Sequence, residues 1–146
     1  MRYLFDTNIL LHFVRDSQQY KTWSETYQFF GTGNTVFTSI INMGEIESLA
    51  HQLNWGYAKR QRLADLVSQT KILRVNKGTV AAYARIDAYS QNKLTNYPLP
   101  IGLTARNMGK NDIWLAATAH TDDCKFVTTD HDFDHLQGVY IDLLRL

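Results

Sequence analysis

Short apolar runs rich in β-branched and aromatic residues alternate with stretches of helical period along most of the chain. Tyr3-Leu4-Phe5 predicts a buried strand, closed by Asp6-Thr7-Asn8 and followed by a helix with Ile9, Leu10, Phe13 and Val14 on one face. A second helical stretch runs from about Ser17 to Phe30, ended by Gly31-Thr32-Gly33-Asn34, and Thr35-Val36-Phe37-Thr38 reads as a second strand. Ser39 suits the N-cap of a helix through Glu45, Leu49 and Leu53. Gly56 breaks that helix, and another runs to about Gln69 before a strand at Ile72-Leu73-Arg74-Val75. A long helix spans about Thr79 to Lys93. Asn96 to Gly109 holds both prolines and two glycines without any period, which predicts a loop. A helix from Asn111 to about Thr121, a strand at Lys125–Thr128, a turn with a short helix at Asp130–Leu136 and a strand at Val139-Tyr140-Ile141 complete the reading. Strands that alternate with helices must pair mostly in parallel, with helices on both faces, because each return needs a crossover. The fold class is α/β.

At 146 residues the chain is of single-domain size, expected over 1–146, and its 45% hydrophobic content suffices for a core without staples. The single cysteine, Cys124, excludes an internal disulfide and is expected in the core. A net charge of +1 neither requires nor excludes a nucleic-acid partner, so charge placement has to decide. Met1 to Phe13 is too short for a membrane span and lacks a signal-peptide pattern, so the expected location is cytoplasmic.

The acids are placed unevenly. Asp6 follows the first strand, Glu45 lies about two turns into the helix after the second, Asp112 opens a helix, and Asp130 follows the strand Phe126-Val127-Thr128. In an open parallel sheet the carboxyl ends of the strands form the ligand edge. Three of these acids should therefore converge there, with Glu45 within reach. Each has an ordinary alternative: Asp6 and Asp112 could be helix N-caps, and Asp130 and Asp132 turn formers. Capping alone does not explain four acids at matching topological positions, and Glu45 sits in a largely apolar surrounding. Clustered carboxylates repel, and the usual remedy is a hard divalent cation with oxygen ligands, Mg²⁺ or Mn²⁺. No Cys/His spacing suggests zinc, and no calcium loop is present. Carboxylate-held metal suits phosphodiester hydrolysis.

The same segments carry a family pattern. Phe5-Asp6-Thr7-Asn8-Ile9-Leu10 resembles the opening motif of PIN domains, and Ser39-Ile40-Ile41-Asn42-Met43-Gly44-Glu45-Ile46 resembles their second. Gly109-Lys110-Asn111-Asp112-Ile113-Trp114-Leu115-Ala116-Ala117 is similar to the third, in the form common among VapC-type toxins, and Thr128-Thr129-Asp130-His131-Asp132-Phe133 resembles the fourth. The resemblance covers Tyr3 to Phe133, in order. It implies an α/β/α sandwich and a Mg²⁺- or Mn²⁺-dependent endoribonuclease that leaves 5′-phosphate and 3′-hydroxyl ends. It also implies the toxin half of a VapBC-type toxin–antitoxin pair, acting on structured RNA such as tRNA or rRNA, partnered by a small antitoxin and usually dimeric. Asp6, Glu45, Asp112 and Asp130 take the metal-site roles, with Asp132 as the alternative fourth acid, a distal ligand or a cap. Thr7, Asn8, Ser39, Asn111 and Thr128 are the groups that would orient those carboxylates. The chain departs from the pattern at Asn42, where a Thr is frequent, and at Thr129, where an Arg is frequent.

A nuclease needs cations along the phosphate path. Lys110 and Arg106 flank Asp112 and are the substrate-contact candidates, while Lys59, Arg60 and Arg62 divide evenly between that role and a solvated helix face. Trp114 is expected in the core, His131 has a minor claim on metal or phosphate, and the aromatics Tyr20, Tyr27, Phe29 and Phe30 suit core packing before a partner contact. Two competing functions are an RNA-processing or DNA-directed nuclease without an antitoxin, and a non-catalytic nucleic-acid-binding module. A phosphatase of the haloacid-dehalogenase type needs a second Asp at the position of Asn8, so that reading fails.

Overall fold

The structure is a computed structural model that describes residues 1–146. Five strands form one parallel sheet, β1 (Arg2–Phe5), β2 (Thr35–Ser39), β3 (Lys71–Leu73), β4 (Lys125–Thr128) and β5 (Asp142–Arg145), in the order β3-β2-β1-β4-β5. Six helices surround it: α1 (Thr7–Val14), α2 (Gln18–Tyr27), α3 (Ile40–Gln52), α4 (Tyr57–Gln69), α5 (Lys77–Ser90) and α6 (Lys110–Thr121), with a 3-10 segment at His131–Leu136.

The period-two alternation of each strand splits the apolar side chains between two layers. Leu4, Phe37 and Phe126 point to one face, where they pack with Ile86, Ile113, Leu115 and Phe133 from α5, α6 and the 3-10 segment. Tyr3, Phe5, Val36 and Val127 point to the other, against Ile9, Leu10, Ile46 and Leu66 from α1, α3 and α4. The central strands are thus buried on both faces, as parallel strands require. Cys124 and Tyr20 are buried in these layers, and Trp114 is half-buried against Tyr83, with ring centroids 4.3 Å apart.

Several boundaries differ from the sequence reading. The second helix stops at Tyr27 because Gln28 takes a left-handed conformation (φ 46°), which frees Phe29 to turn inward edge-on to Tyr3 and Phe5. The third strand is Lys71–Leu73, and Asn76 then caps α5 through hydrogen bonds from the Gly78 and Thr79 amides. The last strand is Asp142–Arg145 and not Val139–Ile141. The amides of Val139, Tyr140 and Ile141 donate back to the Leu136 carbonyl, closing a turn around Gly138 (φ 71°) that uses up their ladder capacity. Apolar character marked a strand three residues too early, because Leu143 and Leu144 share it.

The connections from β1 and β4 leave the sheet in opposite lateral directions, so the edge between them is a topological switch point. Asp6 continues the ladder there, its backbone N–H donating to the Val127 carbonyl at 2.9 Å.

Candidate active site

At this edge a cleft of about 380 Å³ is lined by Asp6, Thr7, Asn8, Leu11, Glu45, Ser48, Leu49, Gln52, Asp112 and Asp130. The four acids singled out in the sequence meet in it. Local rules place each one. Asp6 is the N-cap of α1, its Oδ1 accepting from the Thr7 amide at 2.6 Å, and Asp130 is the N-cap of the 3-10 segment, accepting from the Asp132 amide at 2.9 Å. Capping and cleft lining therefore coincide for these two, since a strand-to-helix turn at the sheet edge does both. Asp112 is not a cap: Gly109 holds that position, and Asp112 lies in the first turn of α6. A Cβ on Gly109 would lie 2.7 Å from Asp112 Oδ2, so a side chain there would push that carboxylate from its place.

A hydrogen-bond lattice ties the acids together. Thr128 Oγ1 donates to Asp6 Oδ2 at 2.6 Å and accepts from the Asp130 amide at 2.9 Å, joining the ends of β1 and β4. Thr7 Oγ1 donates to Glu45 Oε2 at 2.5 Å, and Asn111 Nδ2 donates to Glu45 Oε1 at 2.8 Å. Asn42, fully buried, donates to Thr7 Oγ1 at 2.9 Å and accepts from the Ser39 amide at 2.9 Å. Sequence reasoning had registered Asn42 only as a departure, and it proves to be what orients Thr7 toward Glu45. Its place in the first turn of a Ser-capped helix was the available signal. Ser39 touches no carboxylate; its Oγ accepts from the Ile41 amide and caps α3. Asn8 lines the cleft.

Burial pushes the Asp6 carboxyl up from 3.8 to about 6, against the Thr128 and Thr7 hydrogen bonds that favour the charged form, with Asp130 and Glu45 adding repulsion. Burial likewise raises Asp112 to about 6, followed by repulsion from Asp6, Asp130, Glu45 and Asp132. The lining offers carboxylate, amide and hydroxyl groups with no sulfur or imidazole, the donor set of a hard divalent cation. No three acidic, histidine or cysteine side chains are already gathered into a cage. The carboxylates repel one another, and a cation would relieve that repulsion. The residues fit such an ion.

Other candidates fall elsewhere. Asp132 is exposed and outside the cleft lining; its amide serves Asp130. His131 pairs with Asp134, which also binds Arg145. Lys110 is exposed at the start of α6, and Arg106 spends one guanidinium N–H on the Asp132 carbonyl at 3.2 Å, pinning the loop to the 3-10 segment. On α4, Arg62 donates to the Val14 carbonyl, Arg60 to the Trp55 carbonyl, and Lys59 lies over the Trp55 ring. Lys59 and Arg60 remain exposed. Ser48 and Gln52, on the turns of α3 beyond Glu45, line the cleft and had not been anticipated.

The fold has counterparts among known proteins. Residues 3–139 match the PIN domain family. No curated protein matches the chain. Among solved structures, it is similar to VapBC2 from Rickettsia felis bound to a promoter DNA fragment (TM-score 0.75, 19% identity, covering 99% of this chain and 98% of that one). It is similar also to VapBC-1 from nontypeable Haemophilus influenzae (TM-score 0.72, 19% identity, 99% and 98%) and to VapBC-5 of Mycobacterium tuberculosis (0.62, 22%, 99% and 98%). With the five-stranded parallel sheet and the acid-lined switch point in place, and the match spanning nearly the whole length, the chain belongs to the PIN domain family.

Proposed function

We propose that the chain is a single-domain, divalent-metal-dependent endoribonuclease and the toxin of a VapBC-type pair. The observation that carries this reading is the convergence of Asp6, Glu45, Asp112 and Asp130 on one cleft from four separate segments. A scaffold gains nothing from holding two carboxyls at about 6 by burial and repulsion. The similarity to VapBC assemblies supports a small antitoxin as partner, and exposed Ile101 and Leu103 on the loop before α6 suit a homodimer contact.

Asp6, Asp112, Asp130 and Glu45 would hold Mg²⁺ or Mn²⁺, with Asp130 favoured over Asp132 because it lines the cleft. A divalent ion bound there supplies water of lowered pKa and neutralises charge on the phosphodiester. The chain's own residues set the geometry. Thr128 fixes Asp6, while Thr7 and Asn111 hold the two oxygens of Glu45, so neither carboxylate can rotate freely. Lys110, exposed and two residues before Asp112, would bind the phosphate; Arg106 ties the loop to the 3-10 segment that Asp130 caps. The substrate class is structured RNA, tRNA or rRNA, and the setting is cytoplasmic. No helix is long and apolar enough to cross a membrane.

The test is cleavage of a labelled structured RNA by purified protein with Mg²⁺ or Mn²⁺, with chelator, and by Asp112→Asn. Cutting is expected only by the parent protein with metal, while circular dichroism shows the variant folded. Undiminished cutting in chelator, or by the variant, would refute the mechanism.

A further inference from the structure

The acid cleft repels the substrate it is proposed to cut, and Arg60 and Arg62 of α4 each donate to a backbone carbonyl. A further basic surface would add to the affinity that Lys110 and a bound cation supply. A cavity of about 590 Å³ shares no residue with the cleft and is lined by Arg85, Lys93, Tyr97, His120 and Tyr140 with smaller residues between them, and by no acid. Arg85 and Lys93 take part in none of the ion pairs. His120 Nδ1–H donates to the Tyr140 carbonyl at 2.7 Å, which leaves Nε2 free. Tyr97 is 65% exposed, yet it stands on a tied turn: its amide donates to the Leu94 carbonyl at 3.2 Å, and the Leu99 amide to Asn92 Oδ1 at 3.0 Å.

We infer that this cavity is a nucleotide-binding exosite, with an RNA base against Tyr97 and Tyr140 and the adjoining phosphate on Arg85 and Lys93. The volume lies in the range of small-ligand sites. Tyr97 is the exposed ring, while Tyr140 is half-buried and packs edge-on with Tyr89 and His120; aromatic rings beside unpaired cations are how proteins grip single-stranded nucleic acid without reading its sequence. Guanidinium matches phosphate geometry in two-point contact. His120 lies on the same helix as Asp112, at its other end. The segment carrying Lys93 and Tyr97 continues through the same loop to Lys110. This inference rests on the ribonuclease reading for its substrate.

The experiment has two arms. In chelator, the full chain is titrated with adenosine 5′-monophosphate and followed by amide chemical shifts. Saturable shifts are expected over residues 93–97 and at Tyr140, and are lost in Arg85→Ala and Tyr97→Ala. With metal, either substitution is expected to raise KM for an RNA longer than about eight nucleotides by about tenfold with kcat unchanged. The exposed-site variant Lys93→Glu should behave likewise, and the salt slope should fall by about one for each cation removed. Shifts confined to the acid cleft, no shifts, or unchanged KM in all three variants would overturn the exosite. A chain that binds the nucleotide in this cavity but cuts no RNA would keep the site and remove the nuclease reading. A chain that cuts RNA with the variants unimpaired would do the reverse.

Discussion

Replacing Asp6 by Asn should stabilise the metal-free protein at alkaline pH and destabilise it at acid pH. The carboxyl is 4% exposed and sits at about 6 in the fold against 3.8 in the open chain. Below pH 3.8 it is protonated in both states and burial carries no charge penalty. Between 3.8 and about 6 the folded chain binds more protons than the unfolded one, so the unfolding free energy falls as pH rises. Above about 6 the deficit is complete, about 3 kcal/mol at ~1.4 kcal/mol per pKa unit. Asn removes the charge. Its Oδ1 can still accept from the Thr7 amide, and its Nδ2 can donate to Thr128 Oγ1 if that hydroxyl turns, at a cost of roughly 1 kcal/mol for the weaker pairing. In chelator, Asp6→Asn should therefore gain about 2 kcal/mol at pH 8 and lose roughly 1 kcal/mol near pH 3.5. Urea unfolding at both pH values reads this as a midpoint shift with unchanged m. Added Mg²⁺ should stabilise the parent protein and not the variant, by mass action on the folded state. A difference between variant and parent of one sign and size at both pH values would show that burial does not strain this carboxylate.

Two further substitutions probe the scaffold of the cleft. Gly109→Ala puts a methyl group 2.7 Å from Asp112 Oδ2 and must displace that carboxylate, so kcat/KM should fall by up to about 10²-fold while the thermal midpoint changes little. An unaltered rate would mean Asp112 tolerates displacement and is not part of the machinery. Asn42→Ala leaves the buried Ser39 amide without its acceptor and should cost about 1–3 kcal/mol in unfolding experiments. It also releases Thr7 from Asn42, and metal affinity measured by calorimetry should weaken about 10–100-fold.

The sequence by itself determined the fold class, the strand at Tyr3–Phe5, the helices through Glu45 and Asp112, and the four acids. Those are local signals: apolar period, turn chemistry, and an acid where a strand hands over to a helix. It also held a Ser39 N-cap and a buried Cys124, both read from residue type and position. The last strand was misplaced because apolar residues continue on both sides of Gly138, and only backbone hydrogen bonds to Leu136 distinguish turn from ladder.

Tertiary structure decided between Asp130 and Asp132 as the fourth acid of the cleft. Asp130 and Asp132 are equivalent as letters, but the 3-10 turn sends one inward and leaves the other exposed. It also decided that Arg60 and Arg62 serve backbone carbonyls, that Asn42 orients Thr7, and that Arg85, Lys93, Tyr97, His120 and Tyr140 surround one cavity. The physical reason is separation along the chain. Thr128 and Asp6 lie 122 positions apart, and Asn111 and Glu45 66. Local propensity carries no information over such spans; the pairing of β1 with β4 brings Thr128 to Asp6, and the packing of α3 and α6 around the sheet edge brings Asn111 to Glu45.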